Sequence, residues 1–124
     1  MPKSPSSILT IAGALTLTIS SLAIVPHSAI AAGDSAAAQG KKIAFDRKKG
    51  NCLACHEMAG GDMPGNIGPA LKGMKSRYPD KAALRAHIWD PTVNNPNTIM
   101  PPFGKHQILS EQELDLVVEF VNSL

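Results

Sequence analysis

"GNCLACHEMAG", residues 50 to 60, contains both cysteines of the 124-residue chain. Cys52 and Cys55 are separated by Leu53 and Ala54, and His56 follows at once. Two thiols at this spacing also suit a thioredoxin-like redox pair. That chemistry expects a βαβ setting and makes no use of the histidine, and no strand-rich stretch precedes the motif. C-x-x-C-H is the attachment signature of c-type haem. The spacing follows from the chemistry. Each thiol adds to one vinyl group of the porphyrin, giving two thioethers on one edge. His56 then lies under the ring and offers its imidazole to the iron. One covalent haem c consumes both cysteines, so the chain keeps no free thiol and forms no sulfur intermediate on its own side chains.

An iron with one histidine has a second face to fill. Methionine is a frequent choice in electron-transfer haem proteins, because a soft thioether stabilises the ferrous state and raises the potential. The candidates are Met58, Met63, Met74 and Met100, with His87 and His106 as rivals. Met58 and Met63 follow His56 too closely for the chain to wrap the ring. Met74 lies in the polar stretch "LKGMKSRYPDK", where a methionine fills packing gaps. Met100 stands in "NTIMPPFG", residues 97 to 104. Pro101 and Pro102 fix two φ angles and remove two donors, so this segment is a stiff loop. A stiff loop places a weak ligand without needing a strong bond, and Met100 is the expected partner of His56 on the iron. His106, beyond the prolines, is the better of the two histidine rivals. His87 falls within an expected helix. In "NIGPAL", residues 66 to 71, Gly68-Pro69 marks a turn. Metal-bound histidines commonly donate their other ring N–H to a carbonyl, and the Pro69 carbonyl is the candidate acceptor for His56.

The start of the chain belongs to a different class of segment. Lys3 is the only charge before Asp34, residues 8 to 25 are apolar with scattered Ser and Thr, and Ala29-Ile30-Ala31 follows Pro26. A basic start, an apolar middle and an A-x-A exit describe a cleaved secretory signal over residues 1 to 31, so no membrane insertion is expected after cleavage. The rival reading is an uncleaved anchor. Residues 32 to 124 then form one small domain with five aromatic side chains, a core thin enough to need a cofactor as a staple. Its eleven Lys and Arg nearly balance its ten Asp and Glu, which excludes the basic field of a nucleic-acid binder.

Three helices are expected. The first runs from Ala36 to about Lys48, with Gly40 justified by a close helix crossing. The second runs from Pro79 to about Trp89, with proline in its first turn. The third starts at the capping box of Ser110 and Glu113, and buries a stripe of Leu114, Val117, Val118 and Val121, widened by Leu116, Phe120 and Leu124. Asp90 to Ile108 is expected to be a long structured loop.

A first helix with "GKKIAF", C-x-x-C-H, a Gly-Pro turn, a Met-bearing loop and a last helix resemble the class I c-type cytochromes. The resemblance implies an all-α fold with the first and last helices packed beside a covalently bound haem. In that family the glycine of the first helix packs against an aromatic on the last helix, here Phe120. An aromatic commonly stands four residues after that glycine; here Ala44 takes that place and Phe45 comes one later. Within this group, "NCLACHEMAGGDMPGNIGPAL" and "SRYPDKAALRAHIWDPTVNNPNTIMPPFGKHQILSEQELDLVVEFVNSL" are similar to the SoxX family of sulfur-oxidation cytochromes. The resemblance covers nearly all of residues 32 to 124, and "IWDPTVNNPNTIMPPFGKHQILSEQEL" is its specific part. It implies Cys52 and Cys55 on the haem, with His56 and Met100 on the iron. It implies a periplasmic subunit paired with the cytochrome SoxA, acting on the carrier SoxYZ and passing electrons to an acceptor cytochrome. The pair is a thiosulfotransferase that joins thiosulfate to a carrier cysteine; this chain holds no catalytic residue of its own. A free periplasmic electron shuttle is the alternative. A lasting partner calls for an apolar patch near the haem edge, and a shuttle for a ring of charge from Lys72, Lys75, Arg77 and Lys105.

Overall fold

The structure, a computed structural model, describes residues 34 to 124. The expected signal segment lies outside the described residues. Among the described residues four helices form: α1 (Ala36–Phe45), α2 (Met74–Arg77), α3 (Lys81–Trp89) and α4 (Glu111–Asn122). Single 3₁₀ turns occur at Cys52–Ala54 and Pro91–Val93. Among the described residues the sole β feature is an isolated parallel bridge between Met58 and Leu71. The fold is all-α, as the sequence implies.

Ser35 starts α1 by accepting a hydrogen bond from the Ala38 N–H at 3.2 Å, which satisfies one of the helix's orphan donors. The helix stops at Phe45, short of the expected Lys48. Asp46 explains the early end: its carboxylate accepts from the Lys48 N–H at 2.8 Å, a local bond that competes with helix continuation. The Asp46 carbonyl then accepts from Asn51 N–H at 2.9 Å, folding the chain back so that Cys52 follows directly. Pro79 is likewise not in the first turn of α3. Asp80 is the cap, accepting from Ala82 N–H at 2.8 Å, and Pro79 stands before it. The four-residue α2 falls in the segment taken for polar packing; the Leu124 carbonyl accepts from Gly73 N–H at 2.8 Å and holds its start against the chain's last residue.

α4 begins as its sequence dictates. Ser110 Oγ accepts from Glu113 N–H at 3.2 Å, and Glu113 Oε2 accepts from Ser110 N–H at 3.1 Å. Leu114, Val117, Val118, Phe120 and Val121 are buried, while Leu116 and Leu124 are half-buried at the edges of the stripe. This face packs against α1 and α3. Gly40 is buried where α1 crosses α4, and a Cβ there would sit 1.9 Å from the Leu116 carbonyl oxygen and 3.0 Å from Phe120 Cβ. Only glycine lets the two backbones come this close. The aromatic partner of the crossing is Phe45, edge-on to Phe120 with centroids 5.7 Å apart and planes at 82°. Ala44, one residue earlier, is fully buried against the core. The one-residue offset noted in the sequence therefore changes which side chain fills each place, and the helix crossing remains.

Candidate haem site

Cys52, Cys55, His56 and Met100 line one cavity of about 720 Å³, within the size range of cofactor pockets. Its walls come from the 47 to 56 segment, the 67 to 71 segment, α2 through Met74 and Arg77, α3 through Leu84 and Ile88, the 95 to 103 loop, and Val121 of α4; α1 stands off the cavity.

The C-x-x-C-H segment is shaped by local bonds. Asn51 adopts a left-handed backbone at φ 48°, and its carbonyl accepts from Ala54 N–H at 3.0 Å. The Cys52 carbonyl accepts from both Cys55 N–H at 3.2 Å and His56 N–H at 2.9 Å. This tight turn brings both half-buried thiols and the imidazole to one wall. Burial pushes the Cys52 thiol up to about 11, so it stays protonated at neutral pH.

A short strand-like pairing then fixes His56. Leu71 N–H donates to the Glu57 carbonyl at 2.7 Å, Gly68 N–H donates to the Cys55 carbonyl at 2.8 Å, and Met58 bridges Leu71. The 68 to 71 segment therefore runs alongside 55 to 58. The result is a 2.7 Å hydrogen bond in which His56 Nδ1–H donates to the Pro69 carbonyl. A carbonyl can only accept, so the proton must sit on Nδ1, which leaves the Nε2 lone pair for a metal. Gly68 lies flat against the ring: a Cβ there would approach Cε1, Nδ1 and Nε2 to 2.4, 2.6 and 2.9 Å.

Of the six candidates for the second iron position, three lie off the cavity and three on its wall. Met63 is 89% exposed and lies off the cavity. Met58 is buried in the core, also off the cavity. His106 is exposed and not on the cavity wall. Met74 is on the wall but is only 2% exposed, and its sulfur accepts from Arg77 Nη1 at 3.4 Å. His87 is on the wall too, half-buried, with its ring 5.8 Å from that of Tyr78. Burial, then the nearby His56 and Arg77, holds His87 below its ordinary pKa. Met100 is half-buried on the same wall, its N–H donating to Thr98 Oγ1 at 3.2 Å. It alone combines a place on the cavity with a sulfur that the protein does not otherwise engage in a hydrogen bond among the described residues.

The residues fit a c-type haem. The donor set is two thiols, an imidazole in the metal-binding tautomer and a thioether; the wall mixes aliphatic side chains and Phe103 with polar and basic ones, Arg47, Lys49, Arg77 and Asn95 among them. Cys52 and Cys55 would anchor the ring, and His56 and Met100 would hold the iron. When bound, the haem supplies reversible one-electron chemistry. The protein's share is placement and water exclusion by Leu71, Leu84, Ile88 and Phe103. Arg77, on the cavity wall, donates to the Ala70 carbonyl at 2.9 Å. What the sequence could not reveal is that α2 and its Tyr78 cap join this wall, because their pattern carries no period linking them to the motif.

A 79-residue stretch, 60% of the chain, is 35% identical to an uncharacterized lipoprotein of Aquifex aeolicus (strain VF5) and covers 37% of that protein. The chain thus spans little more than a third of the length of this relative. Residues 37 to 124 match the cytochrome c family, which contains the whole C-x-x-C-H cavity, and the chain belongs to that family of covalent haem, electron-transfer proteins.

Proposed function

We propose that this cytochrome c is an exported, periplasmic SoxX-like subunit. In this reading it takes up electrons from a partner cytochrome of the SoxA kind while thiosulfate is joined to a cysteine of a SoxYZ-like carrier. Joining a thiol and thiosulfate by an S–S bond releases two electrons and one proton. A monohaem chain takes the electrons one at a time and passes them to an acceptor cytochrome. The sulfur chemistry must lie on the partner, because both cysteines of this chain face the haem cavity and it has no others.

One observation carries the subunit reading over the shuttle. Ile67, Ile99 and Ile108 line the mouth of the cavity and are 63%, 74% and 41% exposed, and Val93, on the Met100 loop, is exposed as well. Aliphatic side chains around an electron-transfer edge favour a lasting, desolvated contact over repeated brief encounters. Of the four charges a shuttle's ring would use, Lys105 is paired with Asp90 at 2.7 Å; Arg77, whose bond is to the neutral Ala70 carbonyl, keeps its charge, as do Lys72 and Lys75. Arg47, Lys48 and Lys49 add cations on the cavity wall, so the choice of the subunit rests on the exposed aliphatic side chains alone.

The test is purification from the native periplasm, with intact masses of everything that stays bound through high salt. A stoichiometric second haem protein, and thiosulfate-dependent modification of the carrier by that pair, is the expected result. A lone chain with one haem, reducible by ordinary donors, would replace this reading with the shuttle.

A further inference from the structure

The loop that carries Met100 leaves α3 and returns to it. Its two ends meet at a neck built from four residues the haem reading does not use. Gly104 N–H and Lys105 N–H both donate to the Trp89 carbonyl at 3.2 Å. Gly104 lies against the face of the Trp89 indole, where a Cβ would come within 1.9 Å of Cε3. Lys105 Nζ donates to Asp90 Oδ2 at 2.7 Å. The other carboxylate oxygen of Asp90 accepts from Thr92 N–H at 3.1 Å and from the Thr92 hydroxyl. The Asp90 side chain is only 10% exposed. The Lys105 side chain is 54% exposed, so the pair is half-buried; what sets it apart from a solvated surface pair is that both Asp90 oxygens have donors on the protein.

The neck is mechanically close to Met100. Between Met100 and Gly104 stand Pro101, Pro102 and Phe103. Two φ angles are fixed by the prolines. Phe103 is buried on the cavity wall, and its carbonyl accepts from Leu109 N–H at 3.1 Å. A shift at Gly104 therefore has few free torsions in which to dissipate before it reaches Met100.

We propose that Asp90 and Lys105 are positioning residues for the Met100 thioether: their ion pair, set on the Trp89 carbonyl, closes the neck of the 90 to 105 loop and holds Met100 on the iron. The inference rests on the reading of Met100 as ligand. Loss of the pair frees the neck, raises the fraction of molecules in which Met100 is off the iron, and admits outside ligands in proportion to that fraction.

The experiment is titration of the ferric holoprotein with imidazole, followed by absorbance, including the thioether-to-iron charge-transfer band. Lys105→Met and Asp90→Asn should each bind imidazole about tenfold more tightly than wild type, the size of one charge-assisted hydrogen bond, and Lys105→Arg should restore the wild-type value. Val118→Ala serves as the control. It removes a buried side chain on α4, away from the cavity wall, and should lower the melting temperature without changing imidazole affinity. Wild-type affinity in Lys105→Met and Asp90→Asn overturns the proposal while leaving Met100 as ligand. A matching gain in Val118→Ala overturns it too, because the effect would then be general loosening. A wild-type protein with no thioether band, and with Met100→Ala spectrally unchanged, overturns the ligand reading and this proposal with it.

Discussion

Replacing Gly68 with alanine tests how the fold sets the chemistry of His56. The added Cβ would lie 2.4 Å from His56 Cε1 and 2.6 Å from Nδ1. Ordinary contact begins near 3.4 Å, so the ring and the 68 to 71 segment must separate by about 1 Å. A rigid ring cannot give way by changing rotamer without leaving the cavity, so the strain falls on the 2.7 Å bond from Nδ1–H to the Pro69 carbonyl. Overpacking costs roughly 1–3 kcal/mol, and the weakened bond adds about 1 kcal/mol. The expected loss of stability is therefore about 2–4 kcal/mol. The bond also makes the imidazole a stronger donor, which favours ferric over ferrous iron. If its loss costs the ferric state about 1 kcal/mol more than the ferrous, the potential rises by about 40 mV, from 59 mV per tenfold for one electron. The assays are urea unfolding and spectroelectrochemistry of the holoprotein. Gly73→Ala is the comparison: its Cβ meets nothing within 4 Å, and its φ of 59° brings only left-handed strain, about 1–2 kcal/mol. It should lose some stability and keep its potential. A Gly68→Ala protein with the wild-type potential and a stability loss no greater than that of Gly73→Ala would refute the reasoning.

Met100→Ala should keep the haem covalently attached through denaturation and lower its reduction potential, read by spectroelectrochemistry; an unchanged potential excludes Met100 from the iron. Gly40→Ala should destabilise the protein by about 2 kcal/mol or more in urea unfolding, although alanine is the better helix former by about 1 kcal/mol. The reason is that its Cβ would meet the Leu116 carbonyl oxygen at 1.9 Å, a backbone atom that no rotamer change can move. Lys49 and the Ser110 backbone hold the Glu113 carboxyl below its usual range. Its contribution is thus complete above the unfolded carboxylate pKa, near 4.3, and is lost as pH falls through the lower folded value. Glu113→Gln should flatten that acid limb of the stability curve. Because the Lys49 end of the pair is about half exposed, the effect should shrink with added salt.

The residues around Cys52 carried most of this protein's reading, because thioether attachment needs two thiols and a histidine at one fixed local spacing. No tertiary information is required to see it. The last helix was equally legible, since a capping box and a 3.6-residue apolar period are both local. Gly40 announced a close crossing, but which aromatic met Phe120 was decided only by the packed structure, which sets Phe45 edge-on and buries Ala44 beneath. Local patterns misplaced helix ends where a side chain competed for the backbone: Asp46 stopped α1 early, and Asp80 rather than Pro79 began α3. The second face of the cavity was legible only in part. Spacing from His56 set aside Met58 and Met63, and the stiff proline loop singled out Met100. Only folding, through contacts distant in sequence, buried Met58, turned Met63 and His106 to solvent, gave Met74 a donor in Arg77 and set His87 on the same wall as Met100. The neck of Trp89, Asp90, Gly104 and Lys105 was invisible for the same reason. Residues fifteen positions apart signal nothing by their spacing, and only the return of the loop onto α3 makes them neighbours.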